Sequence, residues 1–352
     1  MKNVLKLFYG VLLVSLMLSC TKENEDKKTG YQKGVLILNE GNFTDFNASV
    51  SWFFPDSNKF ENDVFYNMNG RPLGSVGQHA ATHNNLGFIV INASSKLEIV
   101  DLENFQSTGT VEISHPRSFL PLNNSQGLMT YRSYPGKVAL VNTQTATVID
   151  SATVGNYPGR MLRHNDNVLV MNGDFGLDNS ITVIDAETLD SVKSVVVSDG
   201  AVEAVTDKNN SVWVLCSGKN IYDAEWNLVG ETDAKLVQLD AVDYSIKKEF
   251  VLGSTGDFFN PTKMIIDEAG ENIWYIENGG IYLHMVSAGE LDEEPVIAGS
   301  FSAIALTSEG KLYATVNNGY TSTGEFQVYT TEGNMEKSYE TGVAPNHIAI
   351  IE

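Results

Sequence analysis

The chain has 352 residues, 42% of them hydrophobic, and 44 acidic against 23 basic side chains give it a formal charge of −21. So acidic a chain argues against nucleic acid as a partner, because nucleic-acid binders need a basic face. It favours solubility outside the cell and a weak attraction to cations.

Lys2 and Lys6 precede an apolar run, Leu7 to Leu18, which ends at Ser19-Cys20. The run is shorter than the ~20 residues a helix needs to cross a bilayer, so residues 1–19 read as a signal peptide. Leu16-Met17-Leu18-Ser19-Cys20 resembles a bacterial lipobox, with Met17 where Leu is usual. It implies cleavage before Cys20 and diacylation of its thiol. An ordinary secretory signal with an incidental cysteine is the alternative. Residues 20–33 are polar and charged and cannot bury enough apolar surface to order themselves. They are expected to be a tether, and two or three acyl chains on Cys20 would anchor the protein stably. Cys216 is then the only other cysteine, so no intrachain disulfide is available and burial must hold the fold.

From Gly34 onward one unit recurs. Its core is a short apolar strand, here called B, which begins at Gly34-Val35-Leu36-Ile37-Leu38. It returns at Gly87, Gly127, Asn167, Ser211, Asn272 and Lys311. A second strand, C, follows it as Leu97–Asp101, Val138–Asn142, Ile181–Asp185, Leu236–Asp240 and Phe326–Thr330. These runs are β-branched and aromatic and are bounded by turn residues, and no convincing helical period interrupts them. A base period of about 40 residues with four strands per unit predicts a β-propeller of seven blades. Six innermost strands, A, precede a B strand, around Gln78, Phe119, Met161, Ala204, Ile265 and Ala305. The first B strand has none, and the chain ends on an unmatched one, Asn346–Ile351. Pairing the two makes a closing blade of one C-terminal and three N-terminal strands and removes an open edge. Residues 34–352 are therefore expected to be an all-β seven-bladed propeller. An eight-bladed ring or open solenoid would leave both ends unpaired.

The connections are unequal. A–B and C–D turns are short. The long segments are Asn39–Ala48, Asn172–Asn179, Ser217–Ala234 and Asn317–Gly324, all B–C loops, with the D–A connections Asn67–Gly77 and Gly253–Pro261. In a propeller these two sets share one face. Excess loop length at one end of a rigid scaffold usually carries binding. Aromatics crowd these loops: Phe43, Phe46, Phe175, Tyr222, Trp226, Phe258, Phe259 and Tyr320, with Tyr134 in a shorter one. Local loop packing explains any one of them, whereas nine on one face point to a shared apolar site. Arg71, Arg117, Arg132 and Arg160 fall at the same ends. They read either as ligand-reading groups, Arg132 and Arg160 foremost, or as blade-to-blade salt bridges.

Enzyme signatures are sparse. No zinc spacing, nucleophile elbow, phosphate loop or calcium loop stands out. His79 and His83 read as a paired core or rim element. Glu40, Asp174, Glu203 and Asp257 lie on the long-loop face and could supply an acid/base pair. No metal, cofactor or catalytic residue is assigned, and the chain is not expected to be an enzyme.

The run Ser180-Ile181-Thr182-Val183-Ile184-Asp185-Ala186-Glu187-Thr188 and the corner Val154-Gly155-Asn156-Tyr157-Pro158-Gly159 resemble the YncE-like propeller family over residues 34–352. With the lipobox and tether, the chain is similar to the surface-lipoprotein branch of Bacteroides-type bacteria. Some members of that branch bind cobalamin and pass it to a TonB-dependent outer-membrane transporter. The resemblance implies a lipid-anchored capture protein at the cell surface, with a corrinoid or other nutrient as ligand and such a transporter as partner. No cobalamin-specific motif is visible in the residues themselves. A protein-docking scaffold at the outer membrane is the alternative, and a propeller lyase or glycosidase the third reading.

Overall fold

The structure, a computed structural model, describes residues 30–254 and 263–352, and its compact unit runs from Tyr31 to Glu352. The signal segment, Cys20, most of the tether, Phe258 and Phe259 lie outside the described residues.

Seven antiparallel sheets form the blades. Blade 1 combines Pro345–Ile351 with Gly34–Asn39, Ser49–Phe54 and Lys59–Glu61, so one C-terminal and three N-terminal strands do close the ring. Blades 2 to 7 follow in chain order, with inner strands Gly77–His83, Pro116–Pro121, Pro158–His164, Ala201–Thr206, Lys263–Ile266 and Ala303–Leu306. Each inner strand contacts the next, and Pro345–Ile351 touches both Ala303–Leu306 and Gly77–His83. The seven thus surround a central channel.

The B strands are buried on both faces because a blade packs between two neighbours. Gly34–Asn39 and Val212–Cys216 are buried along their whole length. Seven apolar clusters result, one per blade interface, including Leu36, Val50, Ile89 and Val100 between blades 1 and 2. Phe53, Tyr313 and Phe326 fill the interface of blades 1 and 7. The outer strands are solvated, as along Thr147–Thr153. Burial pushes the Cys216 thiol up to about 12, which leaves it an inert small core residue.

In four of the seven blades the C strand ends at or just before an Asp or Asn that serves as a turn device: Asp101, Asn142, Asp185 and Asp240. Asn142 Oδ1 accepts from the Gln144 and Thr145 amides, and Asp185 Oδ1 from those of Glu187 and Thr188, at 2.8–3.0 Å. Such side chains mimic the backbone partner that a tight turn lacks.

Three details depart from the sequence reading. The first D–A connection contains a one-turn helix, Val64–Asn69, whose Val64 and Phe65 are buried. It is too short to show a helical period, and packing against blades 1 and 2 stabilises it. The segment Ser217–Ala234 is not an open loop. Lys219–Tyr222 pairs with the extended C strand Leu228–Leu239, lifting a hairpin off blade 5. Tyr31, placed in the tether, is buried against Trp52 and Phe105 with ring centroids 5.1 and 5.2 Å away.

Trp213 is fully buried, whereas Trp226 at the hairpin tip is 83% exposed. Trp213→Ala should cost ~3–5 kcal/mol in denaturant unfolding. Trp226→Ala should stay within ~0.5 kcal/mol of the parent chain. Equal losses would make the hairpin a structural element.

Candidate functional site

Each inner strand enters the channel from the long-loop face, and the entry has a recurring form. At five of the seven entries the residue before the strand is left-handed: Val76 (φ 62°), His115 (φ 48°), Tyr157 (φ 51°), Gly200 (φ 76°) and Ala344 (φ 54°). Pairing with the B strand then skips Gln78, Arg117, Gly159-Arg160, Val202 and Asn346. A bulge bends the strand and re-aims its side chains. Polar residues consequently collect where the inner strands begin, at the channel mouth.

Arg117 Nε holds Asp174 Oδ2 at 2.6 Å, and its Nη1 donates to Gln78 Oε1 at 2.8 Å. Asp174 crosses from blade 4 to blade 3 because Gly159 leaves room. A Cβ there would lie 2.7 Å from Asp174 Oδ1. Arg160 Nε lies 3.5 Å from Glu203 Oε2, with the two side chains 14% and 19% exposed. The Arg160 Nη2 reaches His347 Nδ1 at 3.4 Å, while its Nη1 is buried with no hydrogen-bond partner. His347 Nε2 donates to Ala80 O at 2.7 Å, which leaves Nδ1 the acceptor. The His347 ring packs 4.6 Å from that of His79. Asn346 donates to Glu40 Oε2 and to Gly77 O, both at 3.0 Å. Lys263 completes the group, and with Arg160, Glu203 and His347 it lines a cavity of about 270 Å³ in the channel.

The electrostatics follow from confinement. Removal from water pushes Glu203 up, against the pull of Arg160 and Lys263. It pushes Glu40 up as well, against the Asn346 hydrogen bond and the charges of Lys263 and Arg117. Lys263 is brought down to about 7, first by burial and then by Arg160, with Glu203, Glu40 and Asp174 opposing. His347 is held well below the usual imidazole range by burial and by the cations Arg160 and Lys263. Acids raised and bases lowered in one cleft mark a functional-site candidate.

The expected aromatics frame this mouth in groups. Phe175 (φ 64°) lies under two guanidinium groups, those of Arg117 at 5.3 Å and Arg132 at 5.2 Å. Arg132 also covers Tyr157 at 5.2 Å. Tyr222 and Trp226 meet on the hairpin, with centroids 6.2 Å apart. Phe43 and Phe46 are exposed on the loop that Asn42 joins to Tyr320 through its backbone oxygen, at 3.3 Å. Tyr134 is 87% exposed, on the B–C loop of blade 3.

Arg117 and Arg160 therefore make blade-to-blade contacts and also line the mouth. Arg71 is structural. It holds the fully buried Glu98 at 2.7 Å, helped by Lys96 at 2.8 Å. Burial would raise the Glu98 carboxyl, but hydrogen bonds from Arg71, Lys96 and Ser107 outweigh it and hold it below its usual range. Arg132 has no carboxylate at ion-pair distance among the described residues. His79 and His83 do not pair. His79 faces the channel beside His347, and His83 meets Asn124 in blade 3. They are on one strand, but its two ends open on opposite faces of the disc. Glu40, Asp174 and Glu203 do converge on the mouth. Sequence reasoning missed Lys263, His347, Asn346 and Tyr157. Their shared signal is position, within two residues of the point where an inner strand begins. Among the described residues no cluster of three or more His, Cys, Asp or Glu could hold a metal.

A seven-bladed propeller with a charged channel mouth under aromatic loops is the class that fold and site define. The chain belongs to the family described as Domain of unknown function (DUF5074), which matches residues 33–348. No curated protein matches the sequence. A quinonprotein alcohol dehydrogenase-like protein from Bacteroides thetaiotaomicron is similar in structure, with TM-score 0.68 and 14% identity over 92% of this chain and 80% of that one. So is a functionally unknown protein from Desulfotomaculum acetoxidans, with TM-score 0.62 and 13% identity over 90% and 98%. The dihydro-heme d1 dehydrogenase NirN, solved in complex with DHE, gives TM-score 0.57 and 11% identity over 92% and 76%. At such identities the likeness is one of fold alone.

Lys263 titrates far below the ~10.4 of an unfolded lysine. A depressed folded value adds stability that is complete above the unfolded value and lost as pH falls toward about 7. Lys263→Met should therefore melt higher than the parent chain at neutral pH, with the gap closing toward about pH 10. Thermal melts across that range check this. A Lys263→Met chain that melts lower than the parent at neutral pH would place Lys263 in a stabilising ion pair instead.

Proposed function

We propose that the protein is a binding propeller whose long-loop face captures a small molecule over the channel mouth. The carrying observation is the coincidence at that end of two features. One is a mouth where Arg160 Nη1 has no hydrogen-bond partner, and the other is a rim of exposed aromatics led by Trp226, Phe43 and Tyr320. A concave polar centre with apolar walls suits a ligand that is partly apolar. Arg132, spread over Phe175 and Tyr157, adds a preorganised donor at the rim.

The sequence resemblance supports a finer reading. In it the protein is a surface lipoprotein anchored through Cys20, the ligand is a nutrient such as a corrinoid, and a TonB-dependent transporter receives it. A second reading, a docking scaffold, is favoured by the hairpin of blade 5. Ile221, Leu228 and Val229 are exposed there beside Trp226.

Isothermal titration with cobalamin and related corrinoids tests capture. Saturable binding is expected, with Trp226→Ala and Arg132→Ala each weakening it by ~2 kcal/mol, as for anchor residues in a desolvated contact. Absence of heat and of any thermal shift would remove corrinoids as ligands. Retention of a transporter from detergent-solubilised outer membrane, lost when the hairpin tip is changed, would favour docking.

A further inference from the structure

We infer that the channel mouth seats a carboxylate group of the ligand between Arg160 and Lys263. This rests on the capture reading above and adds the chemical class of the group that enters deepest.

The two cations share one cavity of about 270 Å³, and Glu203 is the one carboxylate among the described residues of its lining. Arg160 uses its donors poorly. Nε and Nη2 reach partners only at 3.5 and 3.4 Å, and the buried Nη1 reaches none. A guanidinium offers five N–H donors in a fixed fork that matches the two oxygens of a carboxylate. Arg160 and Lys263 also repel each other, and that repulsion helps draw Lys263 down to about 7. An anion between them relieves the repulsion and satisfies the free guanidinium edge together.

Local charge selects a monoanion. Among the described residues, Arg117, Arg160 and Lys263 are balanced by Glu40, Asp174 and Glu203, with Lys263 within electrostatic reach of all three acids and Arg117 of Glu40. One negative charge is tolerated there, whereas a phosphate dianion would face three carboxylates. The cavity is smaller than the ~300–1,000 Å³ of whole-ligand sites, so the acid end enters and the body stays at the aromatic rim.

Proton uptake follows. Arg160 and Asp174 of blade 4, Glu203 of blade 5, and Glu40 and His347 of blade 1 face Lys263. The inner strand of blade 7, Ala303–Leu306, brings no titratable group. A bound carboxylate raises the Lys263 ammonium above its free value, so binding on the alkaline side of 7 draws in a proton. His347 already donates to Ala80 and stays neutral.

The test titrates the full chain with benzoate, with benzamide and inorganic phosphate as comparators. It is run at about pH 6 and about pH 8, in buffers of different ionisation enthalpy. Benzoate should saturate in the millimolar range and bind at least ~tenfold tighter than benzamide, the usual gain for a charge-assisted hydrogen bond. Proton uptake should accompany it at the higher pH and vanish in Lys263→Met. Arg160→Gln should weaken benzoate at least ~tenfold without lowering the melting temperature. Should Arg160→Gln fail to fold, the benzoate–benzamide comparison on the parent chain decides. Equal binding of benzamide, preference for phosphate, or no benzoate binding up to about 50 mM would each overturn the carboxylate seat. Those results leave capture standing if Trp226→Ala still weakens a captured corrinoid, and loss of that effect counts against capture alone.

Discussion

The antiparallel pairing of Pro345–Ile351 with Gly34–Asn39 is the contact on which the other blades depend. It sets Val35 opposite Ile350 and Ile37 opposite Ile348, and it gives blade 1 the inner strand that no N-terminal residue supplies. Blade 1 then packs against blade 2 through Leu36 and Trp52, and against blade 7 through Phe53 and Ile348. Without that strand two apolar faces and two sheet edges would meet water. Closure also fixes the channel. Asn346 and His347, near the C-terminus, reach Glu40, Ala80 and Arg160 only because the last strand returns to the first blade.

The entry to the channel carries the backbone strain. Left-handed residues at Val76, His115, Tyr157 and Ala344 each cost of order 1–3 kcal/mol, most of all at the β-branched Val76. They recur at equivalent points, so the fold imposes them. The chain has to turn from an outer strand across the disc and down into the channel within a few residues. The bulge that completes this turn aims Gln78, Arg117 and Asn346 at the mouth. Strain and polarity therefore concentrate at one end of the channel, and the apolar interfaces between blades compensate for both.

The blades were legible because B strands lie between two sheets and read as continuous apolar runs, and because an Asp or Asn closes four of the seven C–D turns. Trp213 and Trp226 separated for the same reason, one within such a run and the other among Asp and Asn. The mouth was legible only in part. Glu40, Asp174 and Glu203 drew notice as acids on the long-loop face, whereas Lys263 and His347 carry no signal beyond their position at the start of an inner strand. Their neighbours in space come from other blades, and bulges decide which way they point. A period of two cannot be carried through a skipped residue. The pairing expected of His79 and His83 failed for another reason: the register between them is unbroken, but they stand toward the two ends of one strand. The hairpin of blade 5 was hidden because its turn residues, Asp223 to Asn227, resemble those of any loop.

The overall charge of −21 suggests a site that repels anions, and the mouth shows why that inference does not carry inward. Exposed charges more than about 8 Å away are largely screened at physiological ionic strength. Inside the channel only the nearest groups count, and there, among the described residues, three cations meet three carboxylates. Each is also worth more than at the surface, because little water is left to screen it. The raised Glu203 and the lowered Lys263 are two signs of that one condition. Removal from water penalises both charges, and neither partner fully repays the other. The electrostatics of the mouth are therefore set by how Arg160, Glu203 and Lys263 share a cavity of about 270 Å³, not by the balance of the chain. A surface rich in acids sets the field far from the protein, while a few enclosed residues set the field inside the mouth.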